Sequence, residues 1–363
     1  MADIHAQKFD DATQIKLLLL QEYLKKWLPV FLKPNKIWWK DIYVYDFFAG
    51  EGFDKEGNPG SPQIILKEVA NYNEDIKKEN FNFKIVFNDY DSKKIEKLKS
   101  SINSENYSFD IEYKQENFTD LFHNIYPIMA SKGRKGLPRF MFLDQYGVKF
   151  VTKEIFYKLS DLKRTDFLFF ISSHFIKRFA ELDEFKKYIQ ISKKKFDLTK
   201  PYQCHRVVFE YFKNMIPDNK ELYLAPFSLQ KQNSGNVYGL IFGTHNLLGI
   251  EKFLKLAWKQ DGNAGEANFN IDEAILEGDT FDLFNTDTRA KKLQFFEKEL
   301  KDLIHENKIK TLKEVYIYTF NYGCLPKHAN SLLKELKNLK KIKQSLKLIS
   351  SNIHKLEDNI LLK

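Results

Sequence analysis

Two cysteines in 363 residues, Cys204 and Cys324, are too few for a disulfide framework, and they exclude a zinc site built only from cysteines of one chain. Long apolar runs are missing as well. No stretch approaches the ~18 residues of a membrane span, and the opening Met1-Ala2-Asp3-Ile4-His5-Ala6-Gln7-Lys8 lacks the basic-then-apolar order of a signal peptide. These absences lead us to expect a soluble protein of the reducing cytoplasm with no membrane association. The eight histidines show no paired spacing, so no metal site is expected, and His174, His205 and His245 read as hydrogen-bonded helix-end or turn residues. Repeats of about 20–50 residues and low-complexity linkers are also lacking, which argues against a tethered array. What the chain does have is aromatic residues, 15% of the total, enough to fill a core to which Trp38, Trp39 and Trp258 are assigned. It also has 58 basic against 49 acidic residues, a net charge of +9 that suits a polyanionic partner.

Asp10 and Asp11 precede apolar residues at three- and four-residue steps, Ile15, Leu18, Leu19, Tyr23, Trp27 and Leu28, predicting an amphipathic lead-in helix that ends before Pro34. Apolar strand-like runs then alternate with helical stretches. The strands are placed at Ile42 to Phe48, Phe83 to Phe87, Phe109 to Tyr113, Phe140 to Leu143 and Phe167 to Ile171, which predicts a parallel sheet covered on both faces. Leu222 to Leu229 and Val237 to Phe242, joined through Gln232-Asn233-Ser234-Gly235-Asn236, form an expected antiparallel hairpin. Five parallel strands closed by a hairpin is the α/β, Rossmann-like order of class I methyltransferases. A helical insert near 173–217 carries Lys177, Arg178, Lys186, Lys187, Lys193, Lys194, Lys195 and Arg206, and inserts of this kind shape the substrate side of such sheets. From about Asp287 two helical patterns, Leu312 to Tyr322 and Lys327 to Leu339, flank a turn with Gly323 and Pro326, and Ile342 to Leu361 alternates like a hairpin. That is a winged-helix order. The expected domains are a helical lead-in over 1–40, an α/β domain over 41–286, and a winged-helix-like domain over 287–363.

Asp46-Phe47-Phe48-Ala49-Gly50-Glu51-Gly52 puts an acid at a strand end and two glycines in the turn after it. A cofactor pressed against the backbone needs that turn free of side chains, and the missing third glycine fits a cofactor without a pyrophosphate, here S-adenosylmethionine. The second strand ends Asn88-Asp89-Tyr90-Asp91, where an acid accepts hydrogen bonds from ribose hydroxyls; Asp91 is also a credible helix N-cap, so Asp89 is favoured. After the third strand Asn117 is placed to reach the adenine amine or to form a simple turn. The fourth strand ends Asp144-Gln145-Tyr146-Gly147, a partial match to the Asp-Pro-Pro-Tyr edge of amino-group methyltransferases. Asp144 and Tyr146 are therefore the catalytic candidates, with Gln145 either binding substrate or forming the turn. Methyl transfer from a sulfonium needs little acid–base help, so positioning supplies most of the rate. A rival pattern is Asp89 with Glu112-Tyr113-Lys114, the skeleton of many metal-dependent nucleases, although tripeptides of this kind are expected by chance in so charged a chain.

The chain resembles the three-Cys-motif partner proteins, a bacterial family with a methyltransferase-like fold. The resemblance rests on Thr13-x-x-Lys16 with Tyr23 and Trp27, on Tyr45 to Gly52, on Gly57-Asn58-Pro59-Gly60-Ser61-Pro62, on Asn88-Asp89 and on Phe142 to Gly147. It extends to Asn236 to His245 and to Gly249 to Phe253 with Trp258, and so spans most of the chain. What it implies is a cofactor site at Asp46, Gly50, Gly52 and Asp89, a substrate edge at Asp144 to Gly147, and a partner protein bearing a three-cysteine motif. Similar genes have mobile or defence-related neighbours, so the resemblance also implies nucleic acid as a partner and a role in phage defence. Gln145 stands where similar proteins carry proline.

The expected function is a methyltransferase acting on an amino group in nucleic acid, with the cofactor held by Asp46, Ala49, Gly50, Gly52, Asp89, Asp91 and Asn117. The basic insert and the C-terminal domain are expected to follow the phosphate backbone. The alternatives are a non-catalytic cofactor-binding partner module and the nuclease.

Overall fold

The structure, a computed structural model, describes residues 8–102, 107–131, 137–145, 147–231, 235–269, 271, 290–343 and 346–350. The first helix, α1 (Asp11–Leu32), starts where the Asp10 carboxylate accepts the Thr13 amide at 2.8 Å. Its buried stripe includes Leu20, Tyr23, Leu24, Trp27 and Leu28. Tyr23 and Trp27 lie against Phe140, and the Tyr23 hydroxyl donates to Asp166 at 2.6 Å. The lead-in helix is thereby fixed to the sheet by both packing and a partly buried hydrogen bond.

The sheet has seven strands in the order β3-β2-β1-β4-β5-β7-β6. They are β1 (Asp41–Asp46), β2 (Asn82–Asn88), β3 (Asp110–Lys114), β4 (Arg139–Leu143), β5 (Thr165–Ile171), β6 (Tyr223–Gln230) and β7 (Val237–Thr244). The first five are parallel, and β7 runs antiparallel to β5 with Phe169 opposite Ile241. This is the class I methyltransferase arrangement that the alternation of strands and helices predicts. Strand β4 is buried at all five positions, as a central strand covered on both faces must be, whereas the edge strand β3 has none fully buried. Helices α2 (Ser61–Ala70), α3 (Asn73–Lys78), α4 (Ser92–Ser100), α5 (Phe118–Ser131) and α6 (Lys153–Asp161) fall in the crossovers. Because β1 connects toward β2 while its other neighbour is β4, the carboxyl ends of β1 and β4 flank the topological switch point where open sheets bind ligands.

The insert is not one long helix. It breaks into α7 (Ser173–Phe179), α8 (Asp183–Lys186), α9 (Lys193–Asp197), a 3-10 turn at Pro201–Gln203 and α10 (Cys204–Lys213). Pro201 cannot continue a helix, and only α10 has the apolar spacing to bury a full stripe, with Phe212 against Phe156 and Phe169. His205 on α10 accepts from the Ser173 hydroxyl at 2.8 Å and donates to the Leu240 carbonyl at 3.0 Å, a fully used imidazole. Trp258 is buried as expected. Trp38 is not: it is 63% exposed, with the Lys36 ammonium over its ring, because it falls beyond the end of α1.

The chain forms two compact units, Met1–Leu222 with Ser228–His245, and Tyr223–Phe227 with Asn246–Lys363. In the second unit α11 (Leu247–Gln260) is capped by Asn246, whose side chain accepts the Leu248 amide at 2.8 Å. It is followed by α12 (Lys291–His305), α13 (Leu312–Asn321) and α14 (Pro326–Asn338). A capping box, Thr311 with Glu314, opens α13, and Gly323 at φ 74° and Pro326 turn the chain into α14. This is a helix-turn-helix. The strand-like pattern expected up to Leu361 lies largely outside the described residues.

Candidate active site at the carboxyl edge of the sheet

Strand β1 ends on Asp46, which is fully buried. One oxygen accepts the Phe48 amide at 3.4 Å, and the other, Oδ2, has no hydrogen-bond partner among the described residues. Burial pushes its carboxyl up to about 7; the Ser61 hydroxyl pulls the other way, and the carboxylates of Asp144 and Asp89 push it further up. Gly50 and Gly52 follow at φ 66° and 93°, the left-handed region that only glycine enters without strain. A Cβ at Gly52 would also sit 2.9 Å from Leu98, so the turn cannot carry a side chain there.

Asp89 lies just past β2 and accepts the Gly50 amide at 3.0 Å and the Asp91 amide at 2.9 Å. It thus ties the glycine turn to the second strand while each oxygen keeps a lone pair for a ligand. Asp91 caps α4 by accepting the Lys93 amide at 2.9 Å, the local role its position allows. Asn117 accepts the Thr119 amide at 2.9 Å at the start of α5, and the Ala49 amide donates to the Asn88 carbonyl at 2.8 Å. The buried Asn88 side chain, named in the sequence only beside Asp89 and given no role there, donates to the carbonyls of Phe47 and Glu116 and accepts the Glu116 amide, all at 3.1 Å. It fastens together the loops after β1, β2 and β3.

Asp144 follows β4 on the same edge and forms an ion pair with Lys16 of α1, whose side chain is only 6% exposed and lies over the Phe170 ring at 4.9 Å. Nothing in the spacing of the sequence pairs these two, 128 residues apart. The Gln145 carbonyl oxygen accepts the amides of Phe150 and Val151 at 3.0 and 3.1 Å, so it shapes the following loop. Its amide nitrogen is buried with no partner among the described residues. Tyr146 lies outside the described residues. Phe48 and Phe150, from the loops after β1 and β4, and Phe118, which opens α5, meet with ring centroids 5.1 to 5.9 Å apart and form an apolar wall at this edge.

Asp54, also missed from sequence, holds the outer loop. It accepts the Phe9, Glu56 and Asn58 amides and the Asn58 side chain at 2.7 to 2.9 Å. Burial alone would raise its carboxyl, but these four donors outweigh it and bring it down to about 2. The nuclease pattern is differently arranged: Glu112 is paired with Lys114 at 2.8 Å and Lys84 at 3.7 Å, while Asp89 is engaged with Gly50. Among the described residues no group of three or more His, Cys, Asp or Glu side chains could hold a metal ion. No helix among them is long and apolar enough to cross a membrane.

Residues 270–346 match the family model of the GMT-like wHTH domain, a winged helix-turn-helix. No curated protein matches the chain in sequence. Solved structures similar to it include the SAM complex of the O-methyltransferase TomG from Streptomyces achromogenes, at 11% identity over 65% of this chain and 91% of that one, with a TM-score of 0.34. A putative S-adenosylmethionine-dependent methyltransferase from Listeria monocytogenes is 13% identical over 62% and 98%, with a TM-score of 0.32. A DUF574 family protein from Streptomyces avermitilis is 10% identical over 64% and 83%, with a TM-score of 0.34. The strand order and the C-terminal match together give the chain's architecture, a class I methyltransferase sheet followed by a winged helix-turn-helix domain.

Proposed function

We propose that the chain is an S-adenosylmethionine-dependent methyltransferase acting on an amino group in nucleic acid. The observation that carries the reading is the buried, unpartnered Oδ2 of Asp46 beside the Gly50–Gly52 turn at the switch point. The carboxylates of Asp144 and Asp89 both act on Asp46 there, and Lys16 pairs with only one of the three. Such a site favours a cationic ligand, and with no metal-ligating cluster among the described residues an ammonium bonded to carbon fits it. When bound, S-adenosylmethionine supplies an activated methyl group. In this reading Asp46 and the turn at Ala49 to Gly52 hold the methionine part, Asp89 accepts the ribose hydroxyls, and Asp91 and Asn117 border the adenine end. Asp144 and Tyr146 present the acceptor amine, and Phe48, Phe118 and Phe150 keep water from the edge. The basic insert and the helix-turn-helix carry the nucleic acid.

Calorimetric titration with S-adenosylmethionine, beside Asp46→Ala and Asp89→Ala, tests the reading. Micromolar binding by the wild type that disappears in both variants is expected; no binding by the intact protein would sink it. A second reading, a cofactor-binding module serving a partner protein with a three-cysteine motif, is favoured by one observation: the Lys16 amine already occupies Asp144, where an acceptor amine would sit. Tight cofactor binding with no labelled methyl transfer to DNA or RNA would select it.

A further inference from the structure

Beyond the edge where Asp144 sits, the insert and Gly235, between β6 and β7, line a cleft of about 330 Å³, the insert contributing His174, Lys177, Arg178, Lys193, Asp197 and Cys204. Three fixed cations face one carboxylate. Among the described residues none of Lys177, Arg178 and Lys193 has an ion-pair partner, whereas the neighbouring Lys186 pairs with both Glu181 and Asp183. Uncompensated like charges converging on one concave surface repel each other and are stable only because water screens them, so an anion that enters relieves the repulsion. The chain brings them together through the short helices of the insert: Lys177 and Arg178 end α7, and Lys193 begins α9. The cations also act on their neighbours. Burial holds the His174 imidazole below its ordinary value, and the charges of Arg178 and Lys177 add to the effect. Cys204 is no nucleophile, since burial raises its thiol to about 11 against the pull of Lys177. The cleft is therefore equipped to bind and not to react.

Its position connects it to the candidate active site. Helix α7 leaves β5 at the same carboxyl edge that carries Asp46 and Asp144. From the cleft, His174 leads to Tyr238 at 6.2 Å between ring centroids, Tyr238 to Phe170 at 5.6 Å, and Phe170 to the Lys16 ammonium at 4.9 Å, which pairs with Asp144. Flat rings between a cationic pocket and a reacting edge suit a chain of alternating bases and phosphates.

We propose that this cleft is a phosphate subsite, in which Lys177, Arg178 and Lys193 hold a backbone phosphodiester of a single-stranded substrate while a nearby base reaches Asp144. The proposal rests on the methyltransferase reading for its substrate, but the cleft is testable apart from it. A fluorescein-labelled single-stranded oligonucleotide is titrated with the full chain, with a Lys177→Gln, Arg178→Gln, Lys193→Gln variant, and with a charge-matched Lys77→Gln, Lys78→Gln, Lys93→Gln control. The cleft variant is expected to bind at least about tenfold more weakly, with a salt slope shallower by roughly 0.7 for each phosphate that it leaves unneutralised. The control is expected to stay within about twofold. Equal weakening in the two variants, or no binding by the wild type, overturns the proposal. Calorimetry with inorganic phosphate separates the sources: cleft-dependent binding of free phosphate with oligonucleotide affinity unchanged in the cleft variant would assign the site to a small anion and overturn the polynucleotide assignment. Titration of the same cleft variant with S-adenosylmethionine is expected to match the wild type. Oligonucleotide binding abolished in the cleft variant while the wild type fails to bind the cofactor would uphold the subsite and remove the methyltransferase reading.

Discussion

Asp46 makes the pH behaviour of the molecule specific. Its folded carboxyl titrates at about 7, above the ordinary 3.8, so the neutral acid favours folding. The stability it contributes is complete below about pH 4 and is lost as pH rises through 7, each pH unit in that window costing up to about 1.4 kcal/mol. Asp46→Asn is therefore expected to be more stable than the wild type at pH 8 and no more stable at pH 4, as read by urea unfolding at both. Binding of S-adenosylmethionine runs oppositely: its ammonium prefers the ionised acid, so affinity is expected to climb as pH rises through 7 and to lose that slope in Asp46→Asn, measured by calorimetry. The Lys16–Asp144 pair gives a second test. Removing one partner of a mostly buried pair leaves a charge without compensation, so Lys16→Met is expected to cost about 2 kcal/mol, and Asp144→Asn in the same chain to recover most of it. The residues legible in the sequence, Asp46, Gly50 and Asp89, all sit in short motifs next to strand ends. The roles of Lys16 and Asn88 were not legible, because Lys16 meets a partner 128 residues away and Asn88 meets partners 41 and 28 residues away; for Asp54 the bond to the Phe9 amide, 45 residues away, was hidden in the same way.

At the scale of elements, alternation of apolar runs carries the parallel strands and the closing hairpin, since a strand buried on both faces leaves an apolar run that local chemistry records. The insert was less legible: its lysines and aromatics fit helical spacing, whereas the chain there forms four short helices and a 3-10 turn. Packing also decides two positions on β7. A Cβ on Gly239 would lie 2.0 Å from the His205 ring, and one on Gly243 2.1 Å from the Phe167 ring, so each glycine makes room for a neighbouring ring. Gly239→Ala is expected to destabilise the first unit by about 3 kcal/mol or more, because the His205 ring cannot move without breaking its bonds to Ser173 and Leu240. Chemical unfolding followed by tryptophan fluorescence measures it, and a loss under about 1 kcal/mol would contradict this packing.

For the molecule as a whole, the charge of +9 is divided between a methyltransferase-type sheet and a winged helix-turn-helix. The second helix of such a motif is the one that enters the major groove. Here that is α14, with Lys327, Ser331, Lys334 and Glu335 exposed. Lys327→Gln with Lys334→Gln is expected to weaken duplex DNA binding and to flatten its salt dependence by about 0.9 for each phosphate no longer neutralised, with cofactor affinity unchanged; anisotropy at several salt concentrations reads the first two and calorimetry the third. Within the second unit the turn before α14 is held in part from outside the matched region 270–346. The Lys292 ammonium, its side chain 6% exposed, donates to the carbonyls of Ala264 and Gly323 and pairs with Glu266, and the Trp258 indole donates to Gly323 at 2.9 Å. A graft of 270–346 onto another protein would carry α14 away with a cation cut from Glu266 and Ala264 and a turn cut from Trp258. A transplant that keeps this brace must accordingly start upstream of Trp258, and swapping at residue 270 would pass on α14 without the contacts that hold its turn.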